Sequence, residues 1–201
     1  MTTADTSTRH LDVADPGPLG LAAFALTTFV LSVFNAGLVG ASAQPVVFGL
    51  ALFYGGVVQI AAGVMEFFKR NVFGALAFCS YGAFWLAFWY LSTHPEFFPA
   101  GDPLKATGVG VFLLAWTIFT AYMLVAASQI SVGLAFTFTL LLITFIGLTI
   151  GDLAGLPLAT RTAGWVGLAT ALSAWYCSCA GVLNATAGRT VLPVGARRRP
   201  A

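Results

Sequence analysis

Six apolar stretches of about twenty residues occupy most of the chain and constrain its fold more than any other feature of the sequence. Each is long enough to cross a hydrocarbon layer of roughly 30 Å as a helix. Only 8% of the 201 residues are charged, while 59% are hydrophobic. Because lipid cannot hydrogen-bond a backbone, spanning segments of this kind have to be helical. The sequence therefore predicts an all-α integral membrane protein with six transmembrane helices.

Short polar or proline-containing connections separate the predicted spans. Because all nine prolines lie outside the spans, we expect helices without a break at mid-membrane. Gly55 and Gly56 leave room for a local bend in the second span. The spans form one domain over 19–183, between a polar arm at 1–18 and a basic tail at 184–201. Their predicted ranges are 19–39, 46–68, 72–91, 107–128, 132–150 and 163–183.

The basic residues are distributed unequally between the two sides of the predicted spans. By the positive-inside rule, the richer side faces the cytoplasm. We therefore expect a multi-pass plasma-membrane protein, in a bacterium of the inner membrane, with both termini cytoplasmic. A cleaved secretory signal before "GASAQP" is disfavoured because the leader is acidic. The richer side holds Arg9, Lys69, Arg70, Arg189, Arg197, Arg198 and Arg199, and the other side holds Lys105 and Arg161.

Ionisable side chains are too few and too scattered for a catalytic or metal site. Glu66 is the one acidic or basic residue at the edge of a predicted span, and its spacing favours an ion pair with Lys69 or Arg70. The net charge of +2 is too small to indicate a nucleic-acid partner. We therefore expect no enzyme activity, no metal and no cofactor.

Uncharged polar side chains occur inside the spans, where they must face protein partners or a water-filled path. Interhelical hydrogen bonding explains any single one of them, the threonines above all. Asn35 and Gln59 are costlier to bury. Together with Ser80 and Tyr81 they suggest a narrow, neutral pathway for a small polar solute.

Several motifs resemble the acetate uptake transporter family over nearly the whole chain. They are "DPGPLGLAAF", "FYGGVVQIAAGVMEF", "FCSYGAFW", "TAGWVGL" and "VLNATAGRTVLPVG", in that order. The resemblance implies six helices around a narrow pore in each subunit, assembly as a homohexamer, and uptake of acetate and sometimes succinate. It also implies proton coupling in some members and channel-like behaviour in others.

The resemblance also implies roles for particular residues. The family's pore constriction corresponds to Phe24, Tyr81 and Leu141, and a selectivity position corresponds to Ala174. Glu66 is the only nearby carboxylate that could couple a proton to transport. The family signature corresponds to Asp15, Pro16, Gly17, Pro18, Leu19, Gly20 and Leu21.

The signature departs from the family at its first residue, because Asp15 stands where Asn is usual. An ionised Asp accepts hydrogen bonds but donates none, and it repels an approaching anion. It can still cap the first helix. We interpret "DPGP" as a rigid turn that fixes where this helix starts and thereby the depth of Phe24; simple helix termination is the alternative.

The resemblance implies a membrane permease or channel for acetate and related short carboxylates, which lies in the lipid bilayer and assembles as a homo-oligomer. The same lining would suit a channel for a small neutral solute such as ammonia or urea. The sequence does not distinguish export of a carboxylate from its uptake. A structural or sensory membrane protein that transports nothing is the remaining alternative.

Overall fold

The computed structural model of the chain describes residues 13–98 and 104–197. Residues 1–12 of the predicted arm and 198–201 of the predicted tail lie outside this part. Six helical segments are long and apolar enough to cross a membrane, which confirms the predicted fold class. The helices are α1 Gly17–Asn35, α2 Val46–Leu52, α3 Gln59–Phe68, α4 Val72–Thr93, α5 Leu104–Ala127, α6 Val132–Leu153 and α7 Pro157–Ala187.

The helix ends differ from the predicted spans mainly at α7, which starts six residues earlier and ends four residues later. Its added turns are polar, so hydropathy alone could not find them. Pro18 and Pro157 lie outside the predicted spans, but they occupy the first turns of α1 and α7, which start earlier than predicted. Proline is tolerated there because the first-turn N–H groups have no partner within the helix.

The second span combines α2, a π-helical segment over Phe53–Val58, and α3. The irregularity coincides with Gly55 and Gly56, where the sequence predicts a local bend. A Cβ atom at Gly55 would lie 2.7 Å from Thr27 Oγ1, and one at Gly56 would lie 2.6 Å from the carbonyl oxygen of Ala51. Both positions therefore require glycine for the close approach of backbone to its neighbours.

The spans pack as a closed ring in which α1 contacts α7, α7 contacts α6, α6 contacts α5, α5 contacts α4, α4 contacts α3, and α3 contacts α1. Hydroxyl pairs join neighbouring helices across this ring. In lipid each such bond stabilises helix association by roughly 0.6–2 kcal/mol. The pairs are Thr117 with Thr149 at 3.1 Å, Thr137 with Ser173 at 2.6 Å, and Thr144 with Thr170 at 3.3 Å.

Candidate functional site

Two cavities lie inside the helix ring, one toward each end. The terminal-side cavity is at the end where α1 starts and α7 finishes, and measures about 310 Å³. The opposite cavity is at the other end of the ring and measures about 300 Å³. The first is lined among others by Phe24, Gln59, Glu66, Tyr81, Ile130 and Leu141, and the second by Asn35, Phe84, Lys105, Leu113, Asp152 and Thr160.

A layer of aromatic side chains separates the two cavities. Tyr81 lines the terminal-side cavity, and Phe84, three residues further along α4, lines the opposite one. The ring centroid of Trp116 lies 5.9 Å from that of Tyr81 and 5.3 Å from that of Phe84. Phe145 contacts Phe84 edge-on at 5.5 Å. The cavities therefore form an hourglass with an apolar waist.

The structure places the three residues of the predicted constriction together on the terminal-side face of this layer. Phe24, Tyr81 and Leu141 are all buried, belong to one apolar cluster and line the terminal-side cavity. The Phe24 and Tyr81 ring centroids are 5.8 Å apart. Ala174, the predicted selectivity position, is fully buried in the same cluster and not in the wall of either cavity.

The hydroxyl of Tyr81 is held by Thr120, a partner that the sequence does not reveal. Thr120 Oγ1 lies 2.9 Å from the Tyr81 hydroxyl and donates its own proton to the Trp116 carbonyl at 2.7 Å. Because a hydroxyl has one proton, Tyr81 is the donor to Thr120. The Tyr81 proton is thus engaged within the protein, and its hydroxyl oxygen is left as an acceptor.

Gln59 has the most unusual environment of the predicted polar residues. Its side chain is fully buried, and neither its amide nitrogen nor its amide oxygen has a hydrogen-bond partner. The other buried polar atoms without a partner in the described part of the chain belong to Thr28 and Trp85. Gln59 differs from both because it lines the terminal-side cavity, beside the constriction. A buried amide in this state costs about 1–3 kcal/mol unless a ligand satisfies it.

The other two predicted lining residues are placed differently. Asn35 lines the opposite cavity, at the far end from Gln59. Ser80 is half-buried on α4 and lines neither cavity. The three residues therefore do not form one continuous polar strip, and the polar groups lie above and below an apolar waist.

Glu66 lies in the wall of the terminal-side cavity, and its environment differs from the predicted ion pair. Its carboxylate accepts a hydrogen bond from Asn71 Nδ2 at 2.9 Å, and no lysine or arginine of the described residues forms a salt bridge with it. Asn71 also caps α4 by accepting from the Gly74 N–H at 3.2 Å. Because the tight turn at 69–71 folds α4 back along α3, the carboxylate meets the amino end of α4 and not the two cations. A helix amino end stabilises a carboxylate.

The start of α1 packs against α7 and α4. Ser178 Oγ donates to the Pro18 carbonyl at 2.6 Å, and a Cβ atom at Gly181 would lie 2.7 Å from the Pro18 ring. Asp15 Oδ1 accepts from the Gly17 N–H at 3.1 Å. These contacts fix where α1 begins and thereby the position of Phe24, seven residues beyond Gly17.

The opposite cavity contains two charged residues that the sequence analysis did not assign to a site. Lys105 lines it near the start of α5, with its ammonium 5.7 Å from the centre of the Phe98 ring, and half-buried Asp152 lines it near the end of α6. The sequence does place both charges close to predicted span ends, since Lys105 precedes the span 107–128 by two residues and Asp152 follows the span 132–150 by two. The two ends of the hourglass thus differ, with Asp15 and Glu66 at one and Lys105 and Asp152 at the other.

Six membrane-length helices that enclose two cavities, one on each side of an apolar layer, define a polytopic helical membrane protein. The chain belongs to the GPR1/FUN34/yaaH family, whose model matches residues 2–196.

The chain resembles both named transporters and a solved channel structure. It is 39% identical to the succinate-acetate/proton symporter SatP of Escherichia coli, over 91% of this chain and 96% of that protein. It is 41% identical to Ammonia transport outward protein 2 of Saccharomyces cerevisiae, over 84% of this chain but only 61% of the yeast protein. The solved structure of the bacterial acetate channel SatP matches with a TM-score of 0.85 and 39% identity, over 91% of this chain and 99% of that one.

Proposed function

We propose that the chain is a membrane permease or channel for acetate and related short carboxylates such as succinate. The relatives named for acetate and the shape of the path both support this assignment. The observation that carries it is the unpartnered amide of Gln59, which lines the terminal-side cavity next to the apolar constriction. An amide N–H can donate to a carboxylate without the fixed charge that would trap the ion.

Passage through the hourglass follows from the chemistry of its parts. A carboxylate in the terminal-side cavity exchanges part of its hydration for the Gln59 amide, in a bond of the stronger, charge-assisted kind. The predicted constriction of Phe24, Tyr81 and Leu141 has no charged side chain that would hold the anion. Its width admits a small anion and excludes a bulky one. In the opposite cavity, Lys105 supplies the countercharge that draws the anion out or in.

The direct test is uptake of labelled acetate into liposomes that contain the purified protein, with and without an imposed pH gradient. Empty liposomes measure passage of the undissociated acid. We expect protein-dependent uptake that unlabelled acetate competes away. Uptake no greater than in empty liposomes would contradict the proposal and return a structural or sensory role to consideration.

We propose Glu66 as the residue that couples a proton to the anion. It is the one acidic or basic side chain fully buried in the described part of the chain, and it shares the cavity with Gln59. Glu66→Gln keeps an acceptor for Asn71 but cannot exchange a proton. We expect this variant to retain downhill acetate flux and to lose accumulation driven by a pH gradient. Accumulation equal to that of the wild type would exclude Glu66 as the coupling group.

Asp15→Asn is expected to speed acetate entry from the terminal side by about two- to fivefold at low salt, because it removes one negative charge from the cavity mouth. Stability should change little, since an Asn oxygen can accept the same Gly17 N–H. Initial rates at low and high ionic strength measure the effect, which salt should shrink. A salt-independent change would point to altered geometry at the start of α1.

Ammonia is the second candidate substrate, because a yeast relative is named for outward ammonia transport. The apolar waist suits a small neutral molecule as well as a desolvated anion. The two functions separate in one assay: ammonia-driven alkalinisation inside liposomes, measured with and without excess acetate. Protein-dependent ammonia flux that acetate does not inhibit would favour this candidate.

We further propose that the chain works as a homo-oligomer, a hexamer by resemblance, with both termini cytoplasmic. Large apolar residues on the outside of the ring, among them Phe53, Ile118, Phe136 and Leu172, are available for lipid and for neighbouring subunits. Native mass spectrometry measures the number of copies. Labelling single cysteines at either end of the protein in intact cells tests the orientation.

A further inference from the structure

The segment after α7 folds back over the start of α6. The helix ends at Ala187, and the φ of 63° at the next residue, Gly188, is the left-handed conformation suited to glycine. Further along, the carbonyls of Gly195 and Val194 accept the N–H groups of Val132 and Gly133 at 3.0 and 2.9 Å. These are the first two N–H groups of α6, which have no partner within their own helix. The segment 188–197, here called the strap, therefore completes the amino end of α6.

Two side chains of α7 hold the strap in place. Asn184 accepts the N–H groups of Val191 and Leu192 at 2.6 and 3.0 Å, and donates to the Leu192 carbonyl at 2.9 Å. Tyr176 donates its hydroxyl proton to the Pro193 carbonyl at 2.7 Å. One amide side chain thus makes three of the bonds that anchor the strap.

The strap is connected to the wall of the terminal-side cavity. The N–H of Arg197 donates to the carbonyl of Ile130 at 2.8 Å, and Ile130 lines that cavity. From Ile130 the cavity wall continues along α6 to Leu141 of the constriction. The start of α6 packs on α7, because a Cβ atom at Gly133 would lie 3.0 Å from the Cys177 sulfur. A strap that loosens would release the start of this wall.

We propose that Asn184 is a positioning residue for permeation: by anchoring the strap it fixes Ile130 and the start of α6, and so sets the width of the terminal-side cavity. None of its three bonds reaches the cavity, so the effect is transmitted through the strap. The functional part of this inference rests on the proposed carboxylate transport.

Asn184→Ala is the variant that tests the proposal. Thr186→Ala is its matched control, because Thr186 lies on the same last turns of α7 but bonds only to carbonyls of its own helix. We expect the succinate-to-acetate uptake ratio and the rate of thiol labelling at Cys177 each to rise by about two- to tenfold or more in Asn184→Ala. One lost hydrogen bond shifts a local opening by that factor, and this variant loses three. Fragment-ion sequencing of the labelled peptides separates Cys177 from Cys179, two residues further along the chain, and from Cys79.

A reversible lock distinguishes positioning from a merely structural role. Ser131 and Ala196 face each other in an antiparallel bridge, flanked by the bonds from Val132 to Gly195 and from Arg197 to Ile130. Such a pair has Cα atoms about 4.5 Å apart, within disulfide range. Ser131→Cys and Ala196→Cys are added to Asn184→Ala. Oxidation to the disulfide should return the uptake ratio and the Cys177 labelling rate to their wild-type values, and reduction should raise both again. Ser131→Cys alone is the control.

The outcomes separate the inference from the proposed function. An unchanged ratio and unchanged Cys177 labelling in Asn184→Ala would overturn the inference, as would a failure of the oxidised lock to restore them. If the wild-type protein transports no acetate, the proposed function fails, and Cys177 labelling still decides whether Asn184 and the strap hold the cavity wall.

Discussion

Gln59→Met is expected to lower acetate flux about ten- to a hundredfold at subsaturating acetate while leaving the fold at least as stable. Methionine matches the length of glutamine but has no amide to donate, so the carboxylate loses a charge-assisted hydrogen bond of about 1.5–3 kcal/mol. The fold loses no bond, because both amide atoms of Gln59 are without a partner. Initial uptake rates in liposomes and thermal unfolding in detergent measure the two effects.

Gln129→Met is the matched control for this experiment. Gln129 lies exposed in the turn between α5 and α6, outside both cavities, so the same replacement there should change neither flux nor stability. If acetate flux in Gln59→Met were within twofold of the wild type, the Gln59 amide would not bind the carboxylate during transport. A large fall in unfolding temperature would instead mean that Gln59 has a structural partner.

Leu141→Ala should raise the succinate-to-acetate uptake ratio about tenfold or more. Leu141 is buried in the same apolar cluster as Phe24 and Tyr81, and shortening it should widen the proposed constriction. The truncation also removes packing, at a cost of about 2–5 kcal/mol in the free energy of unfolding. The ratio is measured with both labelled acids on the same preparation, so that a loss of folded protein cancels.

Leu140→Ala controls for the loss of a leucine from α6. Leu140 is the preceding residue but lines a groove on the outer face between α6 and α7, so its truncation should leave the ratio unchanged. An equal change in both variants would indicate that α6 as a whole has loosened. An unchanged ratio in Leu141→Ala would place the size limit elsewhere, and Phe24→Ala would then be the next variant.

Hydropathy and the short motifs predicted much of this structure. The six spans follow from uninterrupted apolar length, because a bilayer leaves the helix as the only way to satisfy the backbone. Phe24 and Tyr81 lie inside the quoted motifs, whereas Leu141 lies in none of them; the structure nevertheless brings all three together.

Contacts that depend on how helices turn and meet were beyond prediction from the sequence. The pairing of Glu66 depends on a turn that turns the carboxylate away from Lys69 and Arg70, and helical spacing alone cannot foresee that turn. The engagement of the Tyr81 proton depends on Thr120 in the next span, thirty-nine residues along the chain. Such pairs are set by how helices meet, which short-range patterns do not encode.

The π-helical segment at 53–58 also sets the rotational phase of the second span. Val47, Ala51, Gly55 and Gln59 are all buried and recur every four residues. A regular α-helix turns about 100° per residue, so the twelve residues from Val47 to Gln59 would overshoot three full turns by about 120°. The wider π turn absorbs that excess. Gln59 and Glu66 therefore face the interior because the helix contains what amounts to one extra residue; without it, this amide and carboxylate would rotate toward the lipid.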